Sequence, residues 1–202
     1  FALASQIVKD FDEIDQYAVD ADNLFDYLKA VKETETWLPG EDELSKTESS
    51  YLMFFKSLLS YYNNLRNRLL QDNSAYYGLM TRKLYELSNE QLYDVVGDNK
   101  IIFAGFNALT HTEENIIVRL VESGKAKLFW DLDKYYYDDE LQEAGLFARQ
   151  FFSKHKNLKP DNVEDNFKNE KKVINIIGVP GSSIQANALQ IKLTEDFEKN
   201  KL

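Results

Sequence analysis

The hydrophobic period changes once along this chain, at Gly97-Asp98-Asn99, and that change limits the folds open to it. Before it, apolar residues recur at every third or fourth position. Ile7, Phe11, Ile14, Ala18, Ala21, Phe25 and Leu28 share one face of a helix predicted over residues 1–31, with Lys9, Asp10, Asp12, Glu13 and Asp20 opposite. Asp22-Asn23 offers a place for that helix to break, since both residues can cap a new one. Trp37-Leu38-Pro39-Gly40 and the EDELSKTESS stretch after it read as loop. Tyr51, Phe55, Leu58, Tyr62, Leu65 and Leu69 repeat the helical spacing, and shorter helices are predicted over 74–87 and 89–96.

Beyond the turn, short apolar runs alternate with helical patterns. KIIFAG, AKLFW and KVINIIGV have strand character, with both faces apolar. Thr110-His111-Thr112-Glu113 has capping-box spacing ahead of a helix carrying Ile116, Ile117, Leu120 and Val121. A helix over 140–155 presents Leu141, Gly145, Ala148 and Phe152 on one side; 158–169 reads as polar loop, and 183–199 as a closing helix. The expected fold is α/β: a helical half, residues 1–96, feeding a half of residues 97–202 with a small three-stranded parallel sheet flanked by helices.

Charge and composition narrow the function classes. Residues 1–50 hold 13 acids against 4 lysines, and the rest of the chain is nearly balanced, for a net charge of −10. An acidic first quarter repels phosphate, so the chain is a poor nucleic-acid clamp by itself. With no cysteine there is no disulfide, thiolate metal site or thiol nucleophile, and a reducing, cytoplasmic setting is the simpler expectation. No apolar run approaches the ~20 residues of a membrane span. The 13 Phe and 12 Tyr predict a core packed largely with aromatic rings. The opening on Phe1, in mid-helix pattern, reads as a piece of something longer.

Several motifs invite a chemical reading. Asp131 and Asp133 in FWDLDKYYYDDE lie just past a strand's C-terminal end, where α/β folds place their chemistry, and two such acids can hold Mg²⁺ for phosphoryl transfer. That chemistry also needs a lysine and a further acid pair after another strand, and GVPGSS after the third predicted strand has no acid. GVPGSS is no Walker A loop, because Ser183 and Ile184 stand where Gly and Lys belong; it reads as a tight turn with Ser183 capping a helix. His111 lies in the capping box and His155 at a helix end, neither with a nucleophile elbow. The acids of DFDEID (Asp10, Asp12, Glu13, Asp15) read as a solvated or partner-facing helix face.

The succession GFNALTHTEENII, KLFWDLDKYY, QEAGLFARQFF and VINIIGVPGSSIQANAL resembles the helicase-like part of bacterial PD-(D/E)XK nuclease family proteins. These are relatives of the B subunit of AddAB helicase–nucleases, built on a superfamily 1 helicase frame. FALASQIVKDFDEIDQYAVDADNLFDYL is similar to the family's stretch ahead of its helical insertion, with Asp10-Phe11-Asp12-Glu13-Ile14 similar to an Asp-Phe-x-Glu-Leu element. The resemblance implies a degenerate P-loop helicase-like fold. In active motors of this type one strand ends in Asp-Glu, the Asp holding Mg²⁺ and the Glu polarising water. The resemblance puts Ala104 and Gly105 at those positions, and Trp130-Asp131-Leu132-Asp133 where a Gly-Asp followed by a nucleotide-sensing Gln belongs.

The expected function is therefore a non-catalytic structural and interaction segment of a bacterial DNA-repair helicase–nuclease. It lacks the Walker A and Walker B groups, binds no cofactor itself, and belongs to a parent expected to be an exonuclease. Its partners would be the parent's remaining domains and a helicase subunit, with DNA met only in the intact assembly and no membrane. Asn107, Thr110 and Tyr135 at the strand ends are the candidate DNA or partner face. The alternatives are a Mg²⁺-dependent phosphoryl-transfer enzyme using Asp131 and Asp133, and an acidic helical adaptor whose first 96 residues bind a basic partner.

Overall fold

The computed structural model describes residues 2–35, 46–160, 163–172, 174 and 176–200. The chain forms two compact units, Phe1–Val163 and Glu164–Leu202. In the first unit α1 (Ala2–Gln16), α2 (Ala21–Glu35), α3 (Lys46–Gln71), α4 (Tyr77–Glu86) and α5 (Asn89–Val96) precede β1 (Ile101–Ala104). Then come α6 (His111–Glu122), β2 (Ala126–Phe129), α7 (Lys134–Tyr137) and α8 (Leu146–Lys154), with single 3₁₀ turns at Glu143–Gly145 and Lys156–Leu158. The second unit holds α9 (Asn166–Asn169) and α10 (Ser182–Asn200).

The first predicted helix is two helices, and the break falls earlier than Asp22-Asn23. Ala18 takes a left-handed conformation (φ 51°), and Val19 N–H closes onto the Ile14 carbonyl at 3.0 Å. Asp20 then caps α2, its carboxylate accepting from Asn23 N–H at 3.1 Å. The apolar faces of α1, α2 and α3 meet in an aromatic core. Phe11 stands edge-on to Phe25 (6.0 Å) and to Tyr62 (5.2 Å), with Ala21 and Leu58 closing the cluster. Lys46 onward is already helical, so the KTESS part of the predicted loop belongs to α3, while residues 36–45 lie outside the described residues.

Ser88 caps α5 through a full capping box with Gln91, and Gly97 (φ 61°) ends it. The period change then produces strands. β1 and β2 pair in parallel, Ile101 opposite Ala126 and Phe103 opposite Leu128, joined by the crossover helix α6. Glu113 reaches back to the Thr110 cap, taking its N–H at 2.7 Å and its hydroxyl at 2.8 Å. α6 serves two cores: Ile116 and Leu120 pack with Leu92, Val96 and Ala126, and Val118 with Ala148, Phe151 and Phe152.

The expected three-stranded sheet is a two-stranded one among the described residues. Of KVINIIGV, Val173 and Asn175 lie outside those residues; Lys172, Ile174 and Ile176 to Val179 adopt no strand, and Ile174, Ile176 and Ile177 are exposed. An apolar run becomes strand only where a neighbour takes its backbone hydrogen bonds, and among the described residues no strand pairs with this one. One face of the pair packs on the core through Ile101, Phe103, Ala126 and Leu128. The other face leaves Ile102 67% and Phe129 54% exposed. The helix predicted over 140–155 starts later, at Leu146, because Asp139 accepts from Leu141 N–H at 2.9 Å and turns the chain. Leu141, expected on one helix side with Ala148 and Phe152, lies before the helix and is 91% exposed, whereas those two are buried.

The two predicted halves pack directly on each other inside the first unit. Thr112, fully buried in the first turn of α6, donates to the Gln16 carbonyl ending α1 (2.9 Å) and lies 3.1 Å from the Thr81 hydroxyl of α4. The compact-unit boundary falls at Val163/Glu164. Among the described residues, no helix is long and apolar enough to cross a membrane.

Candidate functional site at the strand ends

β1 ends at Ala104, and Gly105 takes a left-handed turn (φ 74°) that a side chain would strain. The chain then runs through Phe106, Asn107 and Leu109 to the Thr110 cap. β2 ends at Phe129 and delivers Trp130. Between these strand ends and α8 lies a cleft of about 220 Å³. Tyr17, Trp130, Phe147 and Phe151 supply its aromatic walls, Asn107 and Gln150 its amides, and Glu114 and Lys154 its charges. Trp130 is fixed by Phe106 (4.6 Å, edge-on), Phe151 (5.3 Å) and Phe152 (5.5 Å). Its indole N–H is buried without a hydrogen-bond partner among the described residues.

Glu114 is the electrostatic centre of this end. His155 Nε2 lies 2.9 Å from one carboxylate oxygen, and Lys154 Nζ lies 3.3 Å from both. Burial alone would raise the Glu114 pKa, but the hydrogen bonds from His155 and Lys154 outweigh it and hold the group below its ordinary value. The cleft thus pairs its own charges. Among the described residues no hydroxyl hydrogen-bonds His155, so its imidazole has a carboxylate partner and no nucleophile to activate.

The candidate residues separate in space and in role. Asn107 is exposed and lines the cleft. Thr110 and Tyr135 are not among the described residues lining it: Thr110 serves the α6 cap, and Tyr135, 45% exposed, stacks edge-on against Tyr136 at 5.1 Å. Asp131 is exposed in the loop after β2, and Asp133 caps α7, accepting from Tyr135 N–H at 2.9 Å. Among the described residues, no group of three or more His, Cys, Asp or Glu is placed to hold a metal. Ala104 and Gly105 stand at the β1 tip. In the second unit, α10 begins at Ser182 after Gly181 (φ 77°), which places Ser183 inside the first turn and not at the cap.

Arg149 of α8 ties down the loop leading into this region. Its Nη1 donates to the carbonyls of Tyr136 (2.7 Å) and Asp139 (3.0 Å), and its Nη2 to those of Glu140 (3.2 Å) and Gln142 (2.7 Å). Gly145 lets the chain pass beneath, since a Cβ there would lie 2.0 Å from the Tyr136 carbonyl oxygen.

Two groups of residues escaped the sequence reading. The cleft-lining residues of α8 (Phe147, Gln150, Phe151, Lys154) have clean helical spacing, but the side singled out from the sequence is that of Leu141, Gly145, Ala148 and Phe152. The DFDEID acids are not simply a solvated face. Asp12 accepts from Gly78 N–H of α4, at 2.5 Å, and Asp15 is fully buried, accepting from the hydroxyls of Tyr62 and Tyr76 and from Arg82 at 3.2 Å. A buried carboxylate survives only with such partners, and they lie 47 to 67 residues away, beyond local pattern. No protein-family model, curated protein or solved structure matches this chain.

Proposed function

We propose that this chain is a non-catalytic, helicase-like structural and interaction segment of a bacterial DNA-repair helicase–nuclease. It acts in the cytoplasm with the remaining domains of its parent and a helicase subunit, and meets DNA only in the intact assembly. In this reading the α/β half is a degenerate P-loop helicase frame.

The observation that carries the reading is the tip of the parallel β1–α6–β2 unit, occupied by Ala104 and Gly105. Neither residue can hold a metal or take a proton, so the strand end that serves nucleotide chemistry in the motors it resembles has none of the groups required. The open face of the strand pair adds support. Parallel strands are usually covered on both faces, and Ile102 and Phe129 offer an uncovered apolar surface for a neighbouring domain.

Deletion of the encoding gene tests the reading. It should sensitise cells to double-strand breaks, and Asp131→Asn/Asp133→Asn should restore survival as well as the native chain does. Unchanged survival of the deletion strain overturns the reading. Failure of the double variant, when it is expressed at native level, transfers it to the phosphoryl-transfer enzyme.

A further inference from the structure

Away from the strand ends, α1, α2 and α3 enclose a groove of about 800 Å³. Ile7, Phe11, Ile14, Leu28, Phe54 and Phe55 are among its apolar lining, and Leu3 and Tyr27 on its walls are 64% and 71% exposed. The only charged side chains among its described lining residues are Asp10 and Glu13 of α1. Both are exposed. Asp10 accepts from Gln6 at 2.8 Å, and neither acid is ion-paired among the described residues. Standing three residues apart, they share a side of α1. Lys32, over the rings of Tyr51 and Phe55, is not among the residues lining the groove.

An apolar trough whose charged lining residues, among those described, are both carboxylates has a definite complement. A helix that presents apolar residues at i, i+3, i+4 and i+7 fills such a trough, and lysine or arginine flanking that stripe meets the acids. An acidic helix would set like charges against Asp10 and Glu13. We propose that this groove seats a basic amphipathic helix of a partner protein, its apolar stripe between α1 and the α2–α3 pair and its cations on Asp10 and Glu13. The inference stands on this groove alone and does not depend on the helicase-like reading.

The test uses the full chain and two short synthetic peptides with the same helical leucine pattern, one with lysine at every polar position and one with glutamate. Calorimetry should give saturable binding of the lysine peptide and at least about tenfold weaker binding of its glutamate twin, a difference of about 1.4 kcal/mol. Asp10→Asn/Glu13→Gln should weaken the lysine peptide about tenfold and flatten its dependence on salt between about 0.05 and 0.3 M. Tyr27→Lys should weaken it too, whereas Leu141→Lys, at an exposed position outside the groove, should not. These changes are at exposed side chains, so folding is retained and checked by circular dichroism. Absence of binding, equal binding of the two peptides, or indifference to the Asp10/Glu13 change overturns the proposal. So does a concentration-dependent dimer that Tyr27→Lys abolishes, which would give the groove to a second copy of the chain.

Discussion

The Tyr62 hydroxyl donates to the Asp15 carboxylate across 2.5 Å, in a helical core where neither residue reaches solvent. Tyr76 donates to the other carboxylate oxygen at the same distance, and Arg82 Nη1 approaches at 3.2 Å while also reaching the Val19 carbonyl at 2.9 Å. One side chain of α1 thus collects partners from α3, from the turn before α4 and from α4 itself. Burial pushes both phenols far above their ordinary pKa, with the hydrogen bonds to Asp15 adding to it.

Removing single members of this network should destabilise the first unit unequally. Tyr62→Phe leaves Asp15 with one donor fewer and should cost about 1–3 kcal/mol. Asp15→Ala leaves the Tyr62 and Tyr76 hydroxyls without their acceptor, while Arg82 keeps Glu86 at 3.0 Å, and should cost about 2–5 kcal/mol. Urea unfolding followed by tyrosine fluorescence measures both. Because the folded pKa values of Tyr62 and Tyr76 are raised, their contribution is complete below the unfolded value of about 10 and fades as pH rises through the folded ones. These two phenols should therefore ionise, by ultraviolet titration, only as the protein unfolds.

Gly78 sits where α4 crosses α1. A Cβ there would stand 2.1 Å from the Asp12 carbonyl oxygen and 2.9 Å from its carboxylate. Gly78→Ala should force the helices apart and cost about 1–3 kcal/mol, despite alanine's better helix propensity. A melting temperature equal to the native chain's would show that α1 and α4 do not approach so closely.

The helical half was largely readable from spacing, as were α6 and the two strands, because each has an amphipathic period with turn or cap residues at its ends. Thr110 and Glu113 are a local signal and form the capping box they predict. What escaped was set by contacts distant in sequence or by unusual backbone. Nothing about Ala18 advertises a left-handed residue, so the α1–α2 break was misplaced. Asp15 looked like one acid among four until Tyr62, Tyr76 and Arg82 closed over it. The run after Lys172 has strand composition, but a strand needs a pairing edge, which composition does not encode. At the candidate site, the position of Asn107 after a strand was legible, while nothing in the spacing of the α8 residues lining the cleft, Phe151 among them also part of the buried core, sets them apart from ordinary packing positions.

Glu114 gives the strand-end cleft an acid-sensitive support. A carboxylate whose folded pKa is lowered adds stability in full above its unfolded value of 4.5 and loses it as pH falls through the folded value. Stability should thus decline more steeply in the native chain than in Glu114→Gln between about pH 5 and pH 3. Parallel pH curves for the two proteins would mean that His155 and Lys154 do not hold this carboxylate.

Arg149 should not tolerate lysine. Its two Nη groups serve the carbonyls of Tyr136, Asp139, Glu140 and Gln142, and a single ammonium cannot span them. Arg149→Lys should speed amide exchange across residues 138–143 while leaving α1 to α3 protected, as read by hydrogen-exchange mass spectrometry. Unchanged exchange there would remove Arg149 as the anchor of this loop.

In the proposed helicase-like frame the β1 tip, Ala104-Gly105, carries no nucleotide chemistry. Calorimetric titration of the chain with ATP·Mg²⁺ decides this. No saturable heat should appear at any nucleotide concentration in the physiological range. A saturable isotherm would contradict it, because a working nucleotide site would then exist in a chain whose strand-tip residues have been assigned none.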